Sequence, residues 1–204
     1  VLDLIPPAAA QRDDQTARVI YLGQVSEDRG ALEMIDAMRA LADCRTELIL
    51  MGSTSGSVAS LLEGSRPDTA VTVIPWKPPR EAYEVLARAD IGLVCLHPLP
   101  RFQTALPVKL FEYMAAGIPV IASDFPLWRE IVDGAACGLL VDPLDASAIA
   151  GAIRYLVDHP EERSRMGKNG RAAVEERCNW EHEAAKLLDL YFKIFGEARG
   201  RKRA

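Results

Sequence analysis

The stretch TALPVKLFEYMAAGIPVIASD, Thr104 to Asp124, sets one carboxylate, Glu112, inside an apolar helical pattern opened by Pro107 and closed through Gly117 into a short apolar run. Proline suits the start of a helix, where its missing N–H would find no partner, and glycine past the last turn allows a left-handed closure. The run Pro119 to Ala122 is short, apolar and partly β-branched, so it reads as a sheet strand. A loop, a helix start and a solitary acid at a strand's edge form a setting suited to a phosphorylated ligand.

Five further apolar runs lie outside that stretch: Val19 to Leu22, Leu48 to Met51, Val71 to Ile74, Ile91 to Leu96 and Gly138 to Val141. They are continuous rather than alternating, as expected of parallel strands covered on both faces. Helical patterns separate them, with Leu32, Ile35, Met38 and Leu41 in one stripe and Tyr83, Leu86 and Ala89 in another. The alternation predicts an α/β fold: a doubly wound, mainly parallel Rossmann-like sheet of about six strands, with helices on both faces and a helical C-terminal extension.

Residues 16–178 make that domain. Residues 1–15, VLDLIPPAAAQRDDQ, read as the remnant of an interdomain linker, because they are rich in proline and alanine and start without methionine. Ile149, Ile153 and Leu156 mark a helix, Pro160 opens a second, and Asn179 is expected to cap a third. Trp180, Ala184, Leu187, Leu188 and Tyr191 form the stripe of that third helix, which Gly196 should end. Residues 198–204 are a basic tail in which Arg199, Arg201, Lys202 and Arg203 crowd together, a solvated end or a contact for anionic lipid.

A 49% hydrophobic content over 204 residues is enough for a full core, and no run approaches the twenty or so residues that span a bilayer. The chain reads as cytoplasmic, with peripheral contact at the inner face of a membrane as a variant. The net charge of −5 argues against nucleic acid as a partner. Cys44, Cys95, Cys137 and Cys178 have no paired spacing, and His97, His159 and His182 are scattered, so free thiols and no metal site are expected.

In such a sheet a ligand sits beyond the carboxyl ends of the strands. After the first strand, GQVSEDRG (Gly23 to Gly30) offers glycines and Arg29, which fits either a diphosphate or an ion pair with Glu27 or Asp28. Its spacing matches neither the dinucleotide fingerprint nor the P-loop. GSTSG (Gly52 to Gly56) could present amides to a phosphate or serve as a plain turn, and Trp76 could stack on a base or pack in the core. Lys109 and Glu112 are three apart on one helical face, which suits either a ribose diol with a phosphate or a simple salt bridge.

PVKLFEYMAAGIPVIAS, with CGLLVDPLDASAIAGAI, HPEERSRMGKNGR and NWEHEAAKLLDLY in that order, resembles the C-terminal, donor-binding domain of the retaining glycosyltransferases of family 4, group 1, of GT-B architecture, over about residues 17 to 195. The resemblance implies a domain that binds a nucleotide-diphosphate sugar as substrate, without a cofactor, while the acceptor and the remaining machinery belong to an N-terminal domain. It implies that the C-terminal helix, 179–197, crosses back toward that domain. It assigns no catalytic base here.

Position by position, it implies that Arg29 meets the donor pyrophosphate, that Gln24, after Gly23, stands where many members carry arginine, and that Glu112 holds the ribose. The family's other glutamate falls on Thr104. The amides of Ala105, Leu106 and Val108 would join Lys109, which offsets the missing arginine, in meeting the leaving diphosphate. Two alternatives stand beside transfer: a non-catalytic nucleotide-binding or scaffold module, and a GT-B-like epimerase or phosphorylase.

Overall fold

The computed structural model describes residues 5–7, 16–63, 70–178 and 180–201. Six parallel strands make one sheet: β1 (Ala17–Leu22), β2 (Thr46–Met51), β3 (Val71–Ile74), β4 (Ile91–Val94), β5 (Val120–Ser123) and β6 (Gly138–Val141). Their order is β3-β2-β1-β4-β5-β6. Val19 pairs with Leu48 on one side and with Ile91 on the other, and Leu93 pairs with Ile121. Every side chain of β4 and β5 is buried, which is why these strands read as unbroken apolar runs.

The helices are α1 (Ala31–Ala40), α2 (Gly56–Glu63), α3 (Pro79–Leu86), α4 (Pro100–Gln103), α5 (Val108–Ala116), α6 (Pro126–Ala135), α7 (Ala146–Asp158), α8 (Pro160–Glu176) and α9 (Trp180–Arg201). Helices cover both faces of the sheet, with α7 lying against α1 and α8 against α5. The chain winds outward one way through β1, β2 and β3, and the other way through β4, β5 and β6. The strand order therefore reverses between β1 and β4, and in an open α/β sheet the carboxyl edge near such a reversal is where ligands bind.

Several expected boundaries shift for local reasons. The run ending at Leu96 leaves the ladder after Val94, because the chain turns to present the carbonyls of Val94 and Leu96 to the Ser123 hydroxyl, at 3.2 and 2.7 Å. Helix α5 begins at Val108 with Pro107 as the residue before it, and Gly117 closes it in the left-handed region at φ 75°. Gly196 does not end the last helix, which continues to Arg201. A glycine inside a helix costs only about 1 kcal/mol against alanine, and the good helix formers Glu197, Ala198 and Arg199 follow it. The tail expected at 198–204 is thus helical over its first four residues.

Ile5 is buried and its carbonyl accepts a hydrogen bond from Arg171 at 3.4 Å, so this part of the expected linker packs on the domain. Most of that linker, the expected cap Asn179 and residues 202–204 lie outside the described residues. Cys95 and Cys137 are buried free thiols, and Cys44 and Cys178 are free and half-buried. Among the described residues, no helix is long and apolar enough to cross a membrane.

Candidate functional site

At the carboxyl edge the loop after β1 is clamped to the loop after β2. Gly23 donates to Met51 O at 2.8 Å, Val25 to Ser53 O at 2.8 Å, and Ser55 back to Val25 O at 2.9 Å. The clamp depends on Gly52, at φ 148°, where a Cβ would lie 2.0 Å from Gly23 O. No side chain fits there, so the two loops close to backbone contact and leave a cleft above them.

That cleft is open and holds about 180 Å³. It is lined by the ends of β1 and β2 (Leu22, Gly23, Met51, Gly52), by Trp76 and Lys77, by Tyr83 and its α3 neighbours, and by Glu112 of α5. Trp76 is 68% exposed at the rim, so it is not the core residue that an aromatic at a sheet end could have been. Lys77 is held by Glu81 at 3.0 Å.

Beneath Gly23 lies the most unusual charge in the molecule. Lys109 is 8% exposed, and its Nζ has no hydrogen-bond partner. The ammonium rests 3.7 Å from the centroid of the Tyr21 ring, and a Cβ built on Gly23 would come within 3.0 Å of it. Burial first, then the nearby charge of Arg29, push its pKa down to about 7, while Glu112 pulls the other way. A buried cation without a hydrogen-bond partner, next to a glycine, is a candidate contact for an anion.

The alternative of a simple salt bridge between Lys109 and Glu112 is not what forms. Glu112 turns instead to Tyr83, whose hydroxyl donates to Oε1 at 2.9 Å. The inner face of α5 buries Leu110, Tyr113, Met114, Ala115 and Ala116, which fixes the direction of both charged side chains. Tyr113 fits because Gly92 lies below its ring, where a Cβ would be 2.3 Å from a ring carbon. Its hydroxyl accepts the Leu22 amide at 2.8 Å and ties α5 to the end of β1.

Arg29 forms no ion pair with Glu27 or Asp28. Asp28 is taken by Ser26 and by Arg101, and the Ser26 hydrogen bond, then Arg101, hold its carboxyl below the usual range. The Arg29 and Arg101 guanidinium carbons lie 5.5 and 4.7 Å from the Phe102 ring centroid, which joins the loop after β1 to α4. Gln24 is exposed, and its carbonyl accepts the Tyr21 hydroxyl at 2.9 Å.

The loop from Thr104 to Val108 stands apart from the cleft lining. Thr104 is exposed, and its hydroxyl donates to Pro100 O at 3.0 Å, within its own short helix. The Ala105 amide makes a long bond of 3.4 Å to Phe102 O, and the Ala105 carbonyl accepts the Trp128 indole at 2.7 Å. Leu106 and Val108 are 46% and 69% exposed. No side chain caps α5, which leaves first-turn amides for a ligand or water.

The structure therefore brings Gly23, Trp76 and Glu112 together around one cleft, with the buried Lys109 ammonium next to Gly23. It sets Arg29 beside Phe102, and Thr104 with its neighbours on an outer loop. Tyr21 and Tyr83 were not foreseen as site residues. Tyr83 reads in the sequence as one member of an apolar stripe, and nothing there distinguishes its hydroxyl.

The sequence profile of the glycosyl transferases group 1 matches residues 7–173. The chain belongs to that family. As a group 1 member it is 30% identical over 188 residues to D-inositol 3-phosphate glycosyltransferase of Corynebacterium glutamicum (strain R), covering 86% of this chain and 43% of that protein. Its fold is similar to that of sucrose-phosphate synthase (tll1590) from Thermosynechococcus elongatus, with a TM-score of 0.79 at 26% identity, over 96% of this chain and 51% of that one. Anabaena Alr3699/HepE, solved in complex with UDP, shares the fold at a TM-score of 0.70 and 19% identity, over 86% of this chain and 49% of that one. The group 1 chain thus spans about half the length, or less, of these relatives.

Proposed function

We propose that these residues are the donor-binding half of a retaining glycosyltransferase, which moves a sugar from a nucleotide-diphosphate sugar to a glycan, lipid or other acceptor. The observation that carries the proposal is Lys109, an ammonium buried without a hydrogen-bond partner next to Gly23, one helical turn from Glu112, a carboxylate that lines the cleft with Gly23. A fold gains nothing from such an ion alone, whereas a diphosphate laid over Gly23 would restore its missing partner. Membership of group 1 and a fold neighbour solved with UDP point to the same ligand class.

In this reading Lys109 and Arg29 stabilise the negative charge that gathers on the leaving diphosphate as the sugar C1–oxygen bond breaks. Glu112 accepts the ribose hydroxyls, and Trp76 offers a face to the base. The reading assigns no cofactor, because the nucleotide sugar is a substrate. Retention of configuration rests on the resemblance to family 4. Transfer itself is proposed to need an acceptor-binding half beyond these 204 residues, in keeping with the 43% share of the inositol-phosphate relative that they span.

Calorimetric titration of UDP, GDP, ADP and NAD into this chain and into Glu112→Ala tests the assignment. At least one nucleoside diphosphate is expected to bind, and Glu112→Ala to weaken it about tenfold or more, the scale of a lost hydrogen bond to a charged group. No binding of any nucleotide, or binding indifferent to Glu112, would sink it. Sugar release from labelled donors by the full-length protein separates transfer from a nucleotide-binding scaffold.

A further inference from the structure

Lys109 and Glu112 sit three residues apart with opposite charges, a spacing that favours an ion pair on a helix surface. The pair stays open. Lys109 Nζ has no hydrogen-bond partner, while Glu112 Oε1 accepts the Tyr83 hydroxyl of a different helix at 2.9 Å. Tyr83 belongs to α3 and lies 29 residues before Glu112, so a tertiary contact has replaced the local one.

We propose that Tyr83 is a positioning residue for the nucleotide: it holds the Glu112 carboxylate away from Lys109, leaving the acid free for the ribose hydroxyls and the amine free for the diphosphate. The inference rests on the nucleotide-sugar reading above and adds a residue to it.

The chemistry of the two possible partners explains the choice. An ammonium would hold Glu112 by neutralising it, and both ions would then be lost to a ligand. A phenol holds the carboxylate with one neutral hydrogen bond and leaves its charge intact. That bond occupies one lone pair of Oε1, so Oε2 and the second lone pair of Oε1 can accept two vicinal hydroxyls. Burial, then the Glu112 charge, push the Tyr83 pKa up to about 12, which keeps its hydroxyl a donor at neutral pH. Tyr83 and Glu112 line the same cleft as Gly23 and Trp76, so the contact lies where a nucleoside would be held.

The test uses the whole 204-residue chain and two forms of whichever of UDP, GDP and ADP binds most tightly, the ribonucleotide and its 2′,3′-dideoxy counterpart. The wild-type chain should favour the ribonucleotide about tenfold or more. Tyr83→Phe should weaken the ribonucleotide about five- to twentyfold and bring the ratio of the two forms to within about twofold. Tyr83→Leu, compared at matched melting temperature, should lose the same discrimination.

On a Glu112→Ala background, Tyr83→Phe should change affinity by less than about twofold, because Tyr83 acts through Glu112. Discrimination kept in both Tyr83 variants, or a full loss repeated on the Glu112→Ala background, overturns the proposal while leaving the donor site standing. A wild-type chain that binds none of the three nucleotides overturns the donor reading and this one with it.

Discussion

Helices α5 and α9 invert each other. The first buries an ammonium, with Lys109 8% exposed, while the second leaves Phe192 75% and Phe195 63% exposed to water. Trp180, Leu188, Leu190, Tyr191 and Ile194 of α9 are each at least half exposed as well. Taken alone, both arrangements oppose stability, since a buried unpaired ion is penalised by several kcal/mol and each exposed large apolar side chain forgoes about 1.5–3 kcal/mol of burial. The difference lies in what would complete each one. A small anion can enter above Gly23 and meet Lys109, whereas only another apolar surface can cover α9.

The contrast breaks most sharply at Lys109. Replacing it with methionine should abolish nucleoside-diphosphate binding, at least a hundredfold in calorimetry, because the anion loses a buried charge-assisted partner. The same Lys109→Met substitution should stabilise the ligand-free chain by on the order of 1–3 kcal/mol, a rise of several degrees in melting temperature. A variant that binds normally, or that melts lower, would show that the ammonium is there for the fold.

The pH dependence follows from the same group. The pKa of Lys109 falls from 10.5 unfolded to about 7 folded, so between those values the unfolded chain holds the extra proton. Stability of the ligand-free chain should therefore rise with pH from about 7 to 10.5, with the lowest contribution from this residue below 7. Nucleotide affinity should run the opposite way and weaken above pH 7, since the diphosphate favours the protonated amine. The groups facing Lys109 are Arg29, Glu112 and Cys95, with the Tyr21 ring beneath it, and melting curves of Lys109→Met over the same range isolate its share.

A smaller effect is expected at Trp76, which lies outside the comparison between buried charge and exposed helix. Trp76→Ala should weaken nucleotide binding about five- to tenfold, the lower part of the range for aromatic–base stacking, with no change in melting temperature. The smallest effect on the fold belongs to α9. Leu188→Glu with Phe192→Glu should shift stability by less than about 0.5 kcal/mol, because both side chains are already in solvent. The wild-type chain should self-associate through this helix at high concentration and the double variant should not; a wild type that is monomeric by light scattering at every concentration would remove that reading of α9.

Much of this organisation was legible in the residues. Apolar runs located all six strands, and they are unbroken where both faces are covered, as in β4 and β5, whereas the edge strand β3 carries Thr72 and is half exposed. The motif around Glu112 marked α5 as largely buried. What escaped was tertiary. Nothing local says that Glu112 will pair with a phenol 29 residues away in sequence rather than with Lys109. Nor does a local pattern say that Trp76 will stand at a rim, or that Thr104 will give its hydroxyl to its own helix. Gly196 misled for the opposite reason: a strong local stop signal was outweighed by good helix formers on its far side.

The most direct test of the site is the titration of Lys109 itself, followed by NMR of ¹³C-labelled lysine side chains with and without the tightest-binding of UDP, GDP and ADP. Lys109 should titrate near pH 7 in the free chain and move upward by a unit or more when the diphosphate is bound. A Lys109 that titrates near its ordinary value of 10.5, unmoved by the nucleotide, would contradict the account.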